Sequence, residues 1–303
     1  MSDIHVLVSP EAGRGRAAGT ATEVLDRLRS LGDHVIDLSG ADAAASAANA
    51  RDAVAAGAER LVVLGGDGMV HLAVQAVAGT DTILGVVPVG TGNDFVRALP
   101  GVPEDPLEAA AVALGNPDPI DGIRVGDRWA ASVATAGFSA DVNDRANRLR
   151  RPKGQTRYTV ATVLELPALK RRPTTITVDG TAHAHDAVMI AVANTAWFGG
   201  GMHICPDADP DDGLLDVTVV DGVGRIELLW FFNRVFKGTH LDHPKVHTHR
   251  GHRIEIAAEV AFNVFPATPF SSMMLQVAHV VLLFALLFTP ADHDAAAPTK
   301  KQL

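Results

Sequence analysis

The first 122 residues alternate short apolar runs with segments that have the apolar spacing of amphipathic helices. Apolar runs typical of buried strands lie at residues 6–9, 34–38, 61–64 and 83–89, and a helical pattern follows each of them. Repeated alternation of strand and helix predicts a parallel sheet covered by helices. Ligands bind such sheets outside the carboxyl ends of the strands, so we expect a site where these runs end.

The pattern changes after about residue 120. Apolar and polar residues now alternate with a period of two, which predicts a second, mostly antiparallel domain. Two segments, 163–173 and 225–238, have helical spacing instead and predict inserted helices. We therefore divide the chain into 1–122, 123–265 and an atypical apolar tail, 266–303, with a disordered end.

Composition narrows the function classes. A formal net charge of −9 argues against a protein whose whole surface binds nucleic acid. The single cysteine, Cys205, excludes an internal disulfide, fits a reducing cytosol and is expected to be a small buried residue. Residues 1–10 lack the basic region of a secretory signal. These features predict a cytoplasmic protein, with peripheral contact at the inner membrane face as a further option.

The most apolar segment, residues 273–288, is 16 residues long and contains Gln276 and His279. Spanning a bilayer takes about 20 apolar residues. We therefore predict a core helix or a helix lying on a membrane surface.

The first indication of a functional site is a strand that runs into Gly65-Gly66-Asp67-Gly68. Glycines allow positive φ and a close approach of the backbone to a ligand. An acidic side chain among them opposes phosphate binding unless a divalent cation lies between carboxylate and phosphate. We predict that Asp67 binds Mg²⁺ while the glycine amides bind nucleotide phosphates. The alternative is that Asp67 caps the following helix.

A second turn of the same kind follows the next strand. It reads Pro88-Val89-Gly90-Thr91-Gly92-Asn93-Asp94. Thr91 could donate to a phosphate, and Asn93 and Asp94 suit the N-cap of a helix at Phe95. Neither G-x-G-x-x-G after the first strand nor a Walker GK[ST] is present, which disfavours the common dinucleotide and P-loop sites.

These two turns occur with three further blocks, TAGFSADVNDRANRLR, FGGGMHICPDADPDDGLLDV and FKGTHLDHPKV, at residues 135–150, 198–217 and 236–246. Together they resemble the diacylglycerol kinase catalytic-domain family, which includes bacterial lipid kinases and sphingosine kinases. The likeness covers about residues 4–260 and is closest to actinobacterial forms. An NAD kinase would share GGDG but not the second block.

The resemblance implies a fold class of α/β plus β. An N-terminal Rossmann-like parallel-sheet domain is followed by a C-terminal antiparallel β-sandwich domain, and ATP binds between them. Our own prediction is that Asp67 and Asp94 are the catalytic residues, which handle Mg²⁺ and orient the nucleotide. The positions that would bind ATP are Ser39, Gly65, Gly66, Asp67, Gly68, Met69, Val70, His71, Thr91, Gly92 and Asn93. The family usually has Thr and an acid where this chain has Met69 and His71, which removes one hydroxyl.

The family also carries a structural Mg²⁺ in its second domain. The matching ligands would be the backbone carbonyls of Asp209 and Leu214 and the carboxylate of Asp212. Four acids within six residues repel one another unless a cation or solvent relieves them, which agrees with an oxygen-liganded cation. An acidic solvated turn is the alternative.

The function implied is an ATP- and Mg²⁺-dependent lipid kinase that converts diacylglycerol to phosphatidic acid. The family closes its site with a general-base acid in an Asp-Gly-acid turn, but residues 260–289 contain no Asp or Glu. Losing a general base costs about 10²–10⁴-fold in rate. The alternative is therefore a non-catalytic or impaired homologue that binds nucleotide or lipid.

Two further clusters bear on partners. A basic block within residues 145–172 has one acid, Glu165, and suggests docking on anionic lipid or a solvated helix face; its members are Arg145, Arg148, Arg150, Arg151, Lys153, Arg157, Lys170, Arg171 and Arg172. Nucleic acid is not expected, because aromatic residues are not interleaved. A homodimer stays open as a further possibility.

Histidines at 240, 243, 247, 249 and 252 raise a zinc hypothesis, which the lack of cysteine and of regular ligand spacing disfavours.

Overall fold

In a computed structural model of the chain, residues 3–9, 16–31, 34–90, 92–149, 151 and 156–258 are described. The elements of the first half are β1 (Ile4–Val8), α1 (Arg16–Ser30), β2 (Val35–Asp37), α2 (Ala43–Ala55), β3 (Arg60–Gly65), α3 (Asp67–Val77), β4 (Ile83–Pro88), α4 (Asp94–Ala98) and α5 (Pro106–Val112). Over the described residues, four strands pair in parallel in the order β2-β1-β3-β4. The predicted parallel sheet is confirmed.

The buried strand β3 shows why this sheet is covered on both faces. Side chains alternate along a strand, so Val62 and Leu64 point to one face and Leu61 and Val63 to the other. The first pair packs against α1 and α5, and the second against α2 and α3. A strand that is apolar at every position is therefore stable only between two helical layers.

The second half is a large antiparallel sheet with helices. Its elements are β5 (Ile123–Val125), β6 (Arg128–Ala130), β7 (Val133–Gly137), α6 (Phe138–Arg148), α7 (Thr156–Glu165), a 3-10 turn (Leu166–Ala168), β8 (Arg172–Val178), β9 (Thr181–Ala193), β10 (Trp197–Phe198), β11 (Met202–His203), β12 (Leu215–Asp221), α8 (Arg225–Phe236), β13 (Val246–Gly251) and β14 (Ile254–Ala258). Among the described strands, the order is β13-β12-β9-β8-β14, and β7 pairs with β9. The predicted fold class is confirmed.

The central strand β9 has an apolar core on each face. Val188, Met189 and Ala191 belong to a core with Phe138 of α6 and Phe232 of α8. Ile190 and Val192 belong to a second core, which the neighbouring strands complete with Ile176, Val217 and Val219. Helices α6 and α8 thus cover one face of the sheet, and the strands themselves build the core on the other face.

One predicted helix lies earlier in the chain than expected. Helical spacing predicted a helix over 163–173, but α7 ends at Glu165 and Arg172 already begins β8. Leu166 precedes Pro167, and the ring of a proline disfavours the helical conformation of the residue before it.

The predicted tail and the apolar segment 273–288 lie outside the described residues. Among the helices that are described, none is long and apolar enough to cross a bilayer. The boundary between residues 122 and 123 stays a prediction.

Candidate active site

The carboxyl ends of β1, β3 and β4 meet at one edge of the parallel sheet. The chain leaves β1 for β2 on one side and returns to β3 on the other, which makes the β1/β3 edge a topological switch point. Ser9 N donates to the Leu64 carbonyl at 2.9 Å, and Val8 N donates to Ser39 Oγ at 2.9 Å. The exposed Ser39 therefore lies beside this edge, where open parallel sheets bind ligands.

The two glycine turns pack directly against each other. A Cβ on Gly90 would lie 2.6 Å from Gly66 Cα, closer than side chains approach a backbone. Among the described glycines with positive φ, neither of these two appears, and φ of Gly66 is −102°. The glycines at 66 and 90 allow the close approach of one backbone to the other, and neither uses the positive φ that glycine also permits. Thr91 lies outside the described residues.

Asp67 joins the two turns. Its Oδ1 accepts a hydrogen bond from Phe95 N at 2.9 Å, and the side chain is buried. Burial raises the pKa of this carboxyl, while the backbone N–H groups of Phe95 and Asp94 act in the opposite direction. Asp67 therefore caps α4 from the neighbouring turn. The alternative was that Asp67 caps the helix that follows it, α3, but the N-cap residue of α3 is Gly66.

Asn93 stands at the N-cap position of α4 but does not cap it. Its φ is 53°, and no cap bond from its side chain is formed within the described part of the chain. Its Nδ2 donates instead to the Gly90 carbonyl at 3.0 Å. Asp94 is the first residue inside α4. The predicted capping by Asn93 and Asp94 is replaced by capping from Asp67, because a left-handed Asn directs its amide back along its own turn.

Asp94 connects the first domain to the second. Its Oδ1 accepts from Gly201 N and Arg97 Nη1, both at 2.8 Å, and its Oδ2 accepts from Gly200 N at 2.5 Å. Burial, and next the charge of Asp67, raises the pKa of Asp94 to about 6. At pH 7 this carboxylate is mainly ionised and holds the turn between β10 and β11.

That turn consists of Gly199, Gly200 and Gly201, whose φ angles are 63°, 84° and 103°. Only glycine adopts a run of such angles without strain. The run directs two successive N–H groups at Asp94, as backbone anion sites do. Trp197, just before the turn, stacks on His203 with 3.9 Å between ring centroids.

Arg97 completes this junction and was not identified from the sequence. Its Nη2 donates to the Gly92 carbonyl at 3.3 Å, and its guanidinium lies 5.6 Å from the centre of the Trp197 ring. A spacing of three residues from Asp94 on a helix was the available signal for the ion pair. Contact with Trp197, one hundred residues away along the chain, had no local signal.

The residues of α3 that follow the first glycine turn, Met69, Val70 and His71, are buried to different extents. Val70 packs in a core with Phe95 and Val96, and Met69 packs beside the sheet core against Gly65. Burial, with Arg128 nearby, lowers the pKa of His71 to about 4, so its imidazole is neutral at pH 7. Roles of Met69, Val70 and His71 in nucleotide binding stay predictions.

The oxygen atoms around the turns fit a ligand that brings a cation and hydrogen-bond donors. Within the described residues, Asn93 Oδ1 is buried and accepts no hydrogen bond; a Cβ on Gly90 would lie 2.8 Å from it. The charge of Asp67 raises the pKa of Asp94. Carboxylate and amide oxygens are the ligands that Mg²⁺ takes. Because both oxygens of Asp94 are already bonded, Asp67 is the better candidate for contact with the cation.

The second predicted metal site fits less well. Asp212 Oδ1 accepts from Leu214 N at 2.8 Å, and its Oδ2 is paired with Arg250. That guanidinium already neutralises the predicted ligand. Asp216 Oδ2 is buried 3.4 Å from Arg250 Nε and, over the described ranges, makes no hydrogen bond. Metal binding by Asp209, Asp212 and Leu214 stays a prediction.

Asp121 ties this acidic turn to the segment between the domains, and the sequence did not reveal it. Gly213 N donates to Asp121 Oδ2 at 2.6 Å, and Asp121 N donates to the Pro210 carbonyl at 2.6 Å. Asn194 Nδ2 also donates to the Asp121 carbonyl.

The basic block is partly neutralised. Arg145 pairs with Glu165, Arg148 with Asp144, and Arg172 with Asp141. Asp141 and Asp144 precede the block in sequence and lie on α6, so acids from outside residues 145–172 neutralise two of its arginines. Arg151, Lys170 and Arg171 are exposed.

The five histidines of the zinc hypothesis do not gather at a single site. His240 is buried and its Nε2 donates to the Ile204 carbonyl at 2.9 Å, while His243 Nε2 lies 3.5 Å from Glu227. His247 and His249 share one face of β13. Cys205 is buried as expected, and burial raises the pKa of its thiol to about 12.

Comparison with known proteins agrees with this architecture. The profile of the diacylglycerol kinase catalytic domain matches residues 3–125, and that of the YegS C-terminal NAD kinase beta sandwich-like domain matches residues 132–267. A diacylglycerol kinase of Mycobacterium tuberculosis is 39% identical over 261 residues, which cover 84% of each chain. A YegS-like lipid kinase of Pseudomonas putida is 29% identical and covers 71% of this chain and 77% of its own.

A solved structure has the same fold. The crystal structure of a diacylglycerol kinase from Bacillus anthracis superposes with a TM-score of 0.69 at 23% identity, covering 88% of this chain and 89% of that one. The chain belongs to the diacylglycerol kinase catalytic-domain family, which makes it a member of a lipid kinase family.

Proposed function

We propose that this protein transfers the γ-phosphoryl group of ATP to the hydroxyl of diacylglycerol and produces phosphatidic acid. The observation that carries the proposal is the pair of glycine turns joined through buried Asp67 at the switch point of the parallel sheet. The name of the relative from M. tuberculosis supports the choice of substrate.

The reaction is mostly a matter of positioning. The lipid hydroxyl oxygen bonds to the γ-phosphorus, the bond from that phosphorus to the bridging oxygen breaks, ADP leaves with the electron pair, and the hydroxyl proton passes to water. Backbone N–H groups of the glycine turns bind the phosphates, and Asp67 orients the nucleotide. Mg²⁺, when bound, neutralises charge on the transferring phosphoryl group. Asp94 and Arg97 hold the β10–β11 turn over the first domain.

The missing acid supports a second candidate function. Residues 260–289 contain no Asp or Glu, so the hydroxyl proton lacks the acceptor that the family uses. The second candidate is an impaired homologue that binds nucleotide or lipid and transfers phosphate slowly.

A lipid substrate requires a membrane-facing surface, and we propose that the exposed side of α7 and α8 provides it. Ile226 and Trp230 lie one turn apart on α8 and are 74% and 58% exposed. Val163 and Leu164 on α7 are exposed too. Arg225 donates to the carbonyls of Leu166 and Pro167, which brings the end of α7 to the start of α8. Exposed apolar residues on a helix favour insertion at the headgroup level. This α7–α8 surface comprises Val163, Leu164, Ile226 and Trp230.

The experiment is phosphate transfer by the full chain from γ-labelled ATP in mixed micelles containing Mg²⁺. Diacylglycerol, sphingosine and NAD are offered separately. Labelled phosphatidic acid that depends on Mg²⁺ supports the proposal, whereas preferential labelling of sphingosine or NAD overturns the substrate assignment. Binding of ATP without transfer to any acceptor favours the second candidate.

A further inference from the structure

Four histidines and one aspartate meet on the second domain, away from the glycine turns. His183 and His185 lie on β9, His247 and His249 on β13, and Asp221 ends β12. Ring centroids are 4.3 Å apart for His183 and His249, and 5.3 Å apart for His185 and His247. Because side chains two residues apart share a face, each pair projects from the same side of its strand.

These imidazoles continue an apolar core. His247 is paired with Val219 across the strands and His249 with Val217, and both valines are buried in the core on that face. Ala187, two residues after His185, belongs to the same core. Polar rings at positions that continue a core need polar partners, because burying a polar group without a hydrogen bond or a ligand destabilises the fold.

Asp221 supplies a partner for two of the rings. Its Oδ2 lies 2.8 Å from His185 Nδ1 and 3.5 Å from His247 Nε2. Its Oδ1 is buried and, among the residues that the structure describes, has no hydrogen-bond partner. Ligand atoms of the three residues all lie within 4.8 Å of one another. A tetrahedral zinc site with bonds of about 2.1 Å has its ligand atoms about 3.4 Å apart, which is close to these separations.

His249 lies next to this set. Its Nε2 is 3.0 Å from His185 Nε2. A ring that binds a metal ion through one nitrogen commonly donates the N–H of the other, and His249 is placed to accept from His185 Nε2.

We propose that His185, Asp221 and His247 bind a divalent transition-metal ion, with His249 beside the other ring nitrogen of His185. Two imidazoles and one carboxylate suit Zn²⁺, Co²⁺ or Ni²⁺, whereas Mg²⁺ and Ca²⁺ favour all-oxygen sites. The site would join β9, β12 and β13 and so stabilise this part of the sheet. The proposal does not depend on the kinase activity.

The test is metal binding by the full chain after removal of any affinity tag and of bound metal with a chelator. Zn²⁺ is titrated by calorimetry in the presence of millimolar Mg²⁺, and Co²⁺ is followed by its visible absorption. His247→Ala is the test variant, since this side chain is 45% exposed and its loss leaves the core intact. His34→Ala, an exposed histidine of the first domain, is the matched control.

We expect saturable binding of one Zn²⁺ per chain at this site and a tetrahedral Co²⁺ spectrum. Affinity should fall at least about 10-fold in His247→Ala and stay unchanged in His34→Ala. Zn²⁺ should raise the melting temperature of the unchanged protein but not that of His247→Ala. Absence of saturable Zn²⁺ binding, or equal affinities of His247→Ala and the unchanged protein, would overturn the proposal and leave only a hydrogen-bonded chain from Asp221 through His185 to His249.

Discussion

Asp67 links two turns because its buried carboxylate accepts a backbone N–H from the second turn. The sequence predicted the importance of this acid from its position among glycines at a strand end. Its partner, Phe95 N, lies 28 residues further along, so no local pattern could identify it. Contacts of this kind depend on how strands align in the sheet, and a sequence pattern describes one strand at a time.

The close contact of Gly66 and Gly90 predicts that a single added methyl group destabilises the fold. In Gly90→Ala the added Cβ would meet Gly66 Cα at 2.6 Å, so the turns must separate. We expect the free energy of unfolding to fall by about 1–3 kcal/mol. Urea unfolding measures it.

Gly19→Ala is the matched control. Gly19 is an exposed residue of α1, and nothing lies within 4 Å of a Cβ placed on it. This replacement should stabilise the helix by about 0.5–1 kcal/mol. Equal effects of the two substitutions would contradict the close packing of the turns.

His71 makes the stability of the fold depend on pH. Its folded pKa of about 4 lies below the usual value of 6.5, so the unfolded chain binds the proton more readily. Stability is therefore fully present above pH 6.5 and is lost as the pH falls toward 4, by up to about 3 kcal/mol.

The variant His71→Gln should lack this dependence. The unfolding free energy of the unchanged protein minus that of His71→Gln should decrease by that amount between pH 7 and pH 4. His34→Gln, at an exposed site, should show no such trend. A difference that is constant across this range would mean that His71 is not buried as described.

At the scale of elements, the predictions succeeded where a period was clear. The strands β1, β3 and β4 and the antiparallel strands β8, β9 and β12 all follow from apolar spacing. The hairpin of β10 and β11 did not, because two-residue strands are too short to show a period. Its place is determined by Asp94 and Arg97, which belong to α4.

Asp94→Asn tests whether this carboxylate holds the hairpin. The amides of Gly200 and Gly201 lose charge-assisted hydrogen bonds, each of which contributes about 1.5–3 kcal/mol. We expect hydrogen exchange of residues 197–203 to become at least about 10-fold faster. Asp81→Asn, at an exposed position, is the control. Unchanged exchange in Asp94→Asn would show that other contacts hold the hairpin.

At the scale of the whole molecule, the fold class was predictable because both periodicities are strong and separate cleanly near residue 120. The histidine and aspartate cluster was not, since His185 and His249 are 64 residues apart and meet only through the curvature of the sheet. The free charge of the basic block was overestimated, because Asp144 pairs with Arg148 on the same helix and Asp141 pairs with Arg172 of β8.

The α7–α8 surface predicts membrane contact by the intact chain. Replacing Ile226 and Trp230 by serine removes two exposed apolar side chains that would insert among headgroups. We expect binding to vesicles that contain anionic lipid and diacylglycerol to weaken at least about 10-fold in sedimentation assays. Leu107→Ser, an exposed position of the first domain, is the control. Equal vesicle binding by the three proteins would place the membrane contact elsewhere.

Phosphate transfer to diacylglycerol by Asp67→Asn, compared with Asp81→Asn, tests the central claim most directly. Urea unfolding checks that both variants are fully folded under the conditions of the assay. A change in the rate of phosphate transfer then reports on the site. We predict that Asp67→Asn loses at least about 10²-fold in rate while Asp81→Asn keeps full activity. Full transfer by Asp67→Asn would contradict the role of the glycine turns, and ATP binding without transfer by the unchanged protein would contradict the kinase assignment itself.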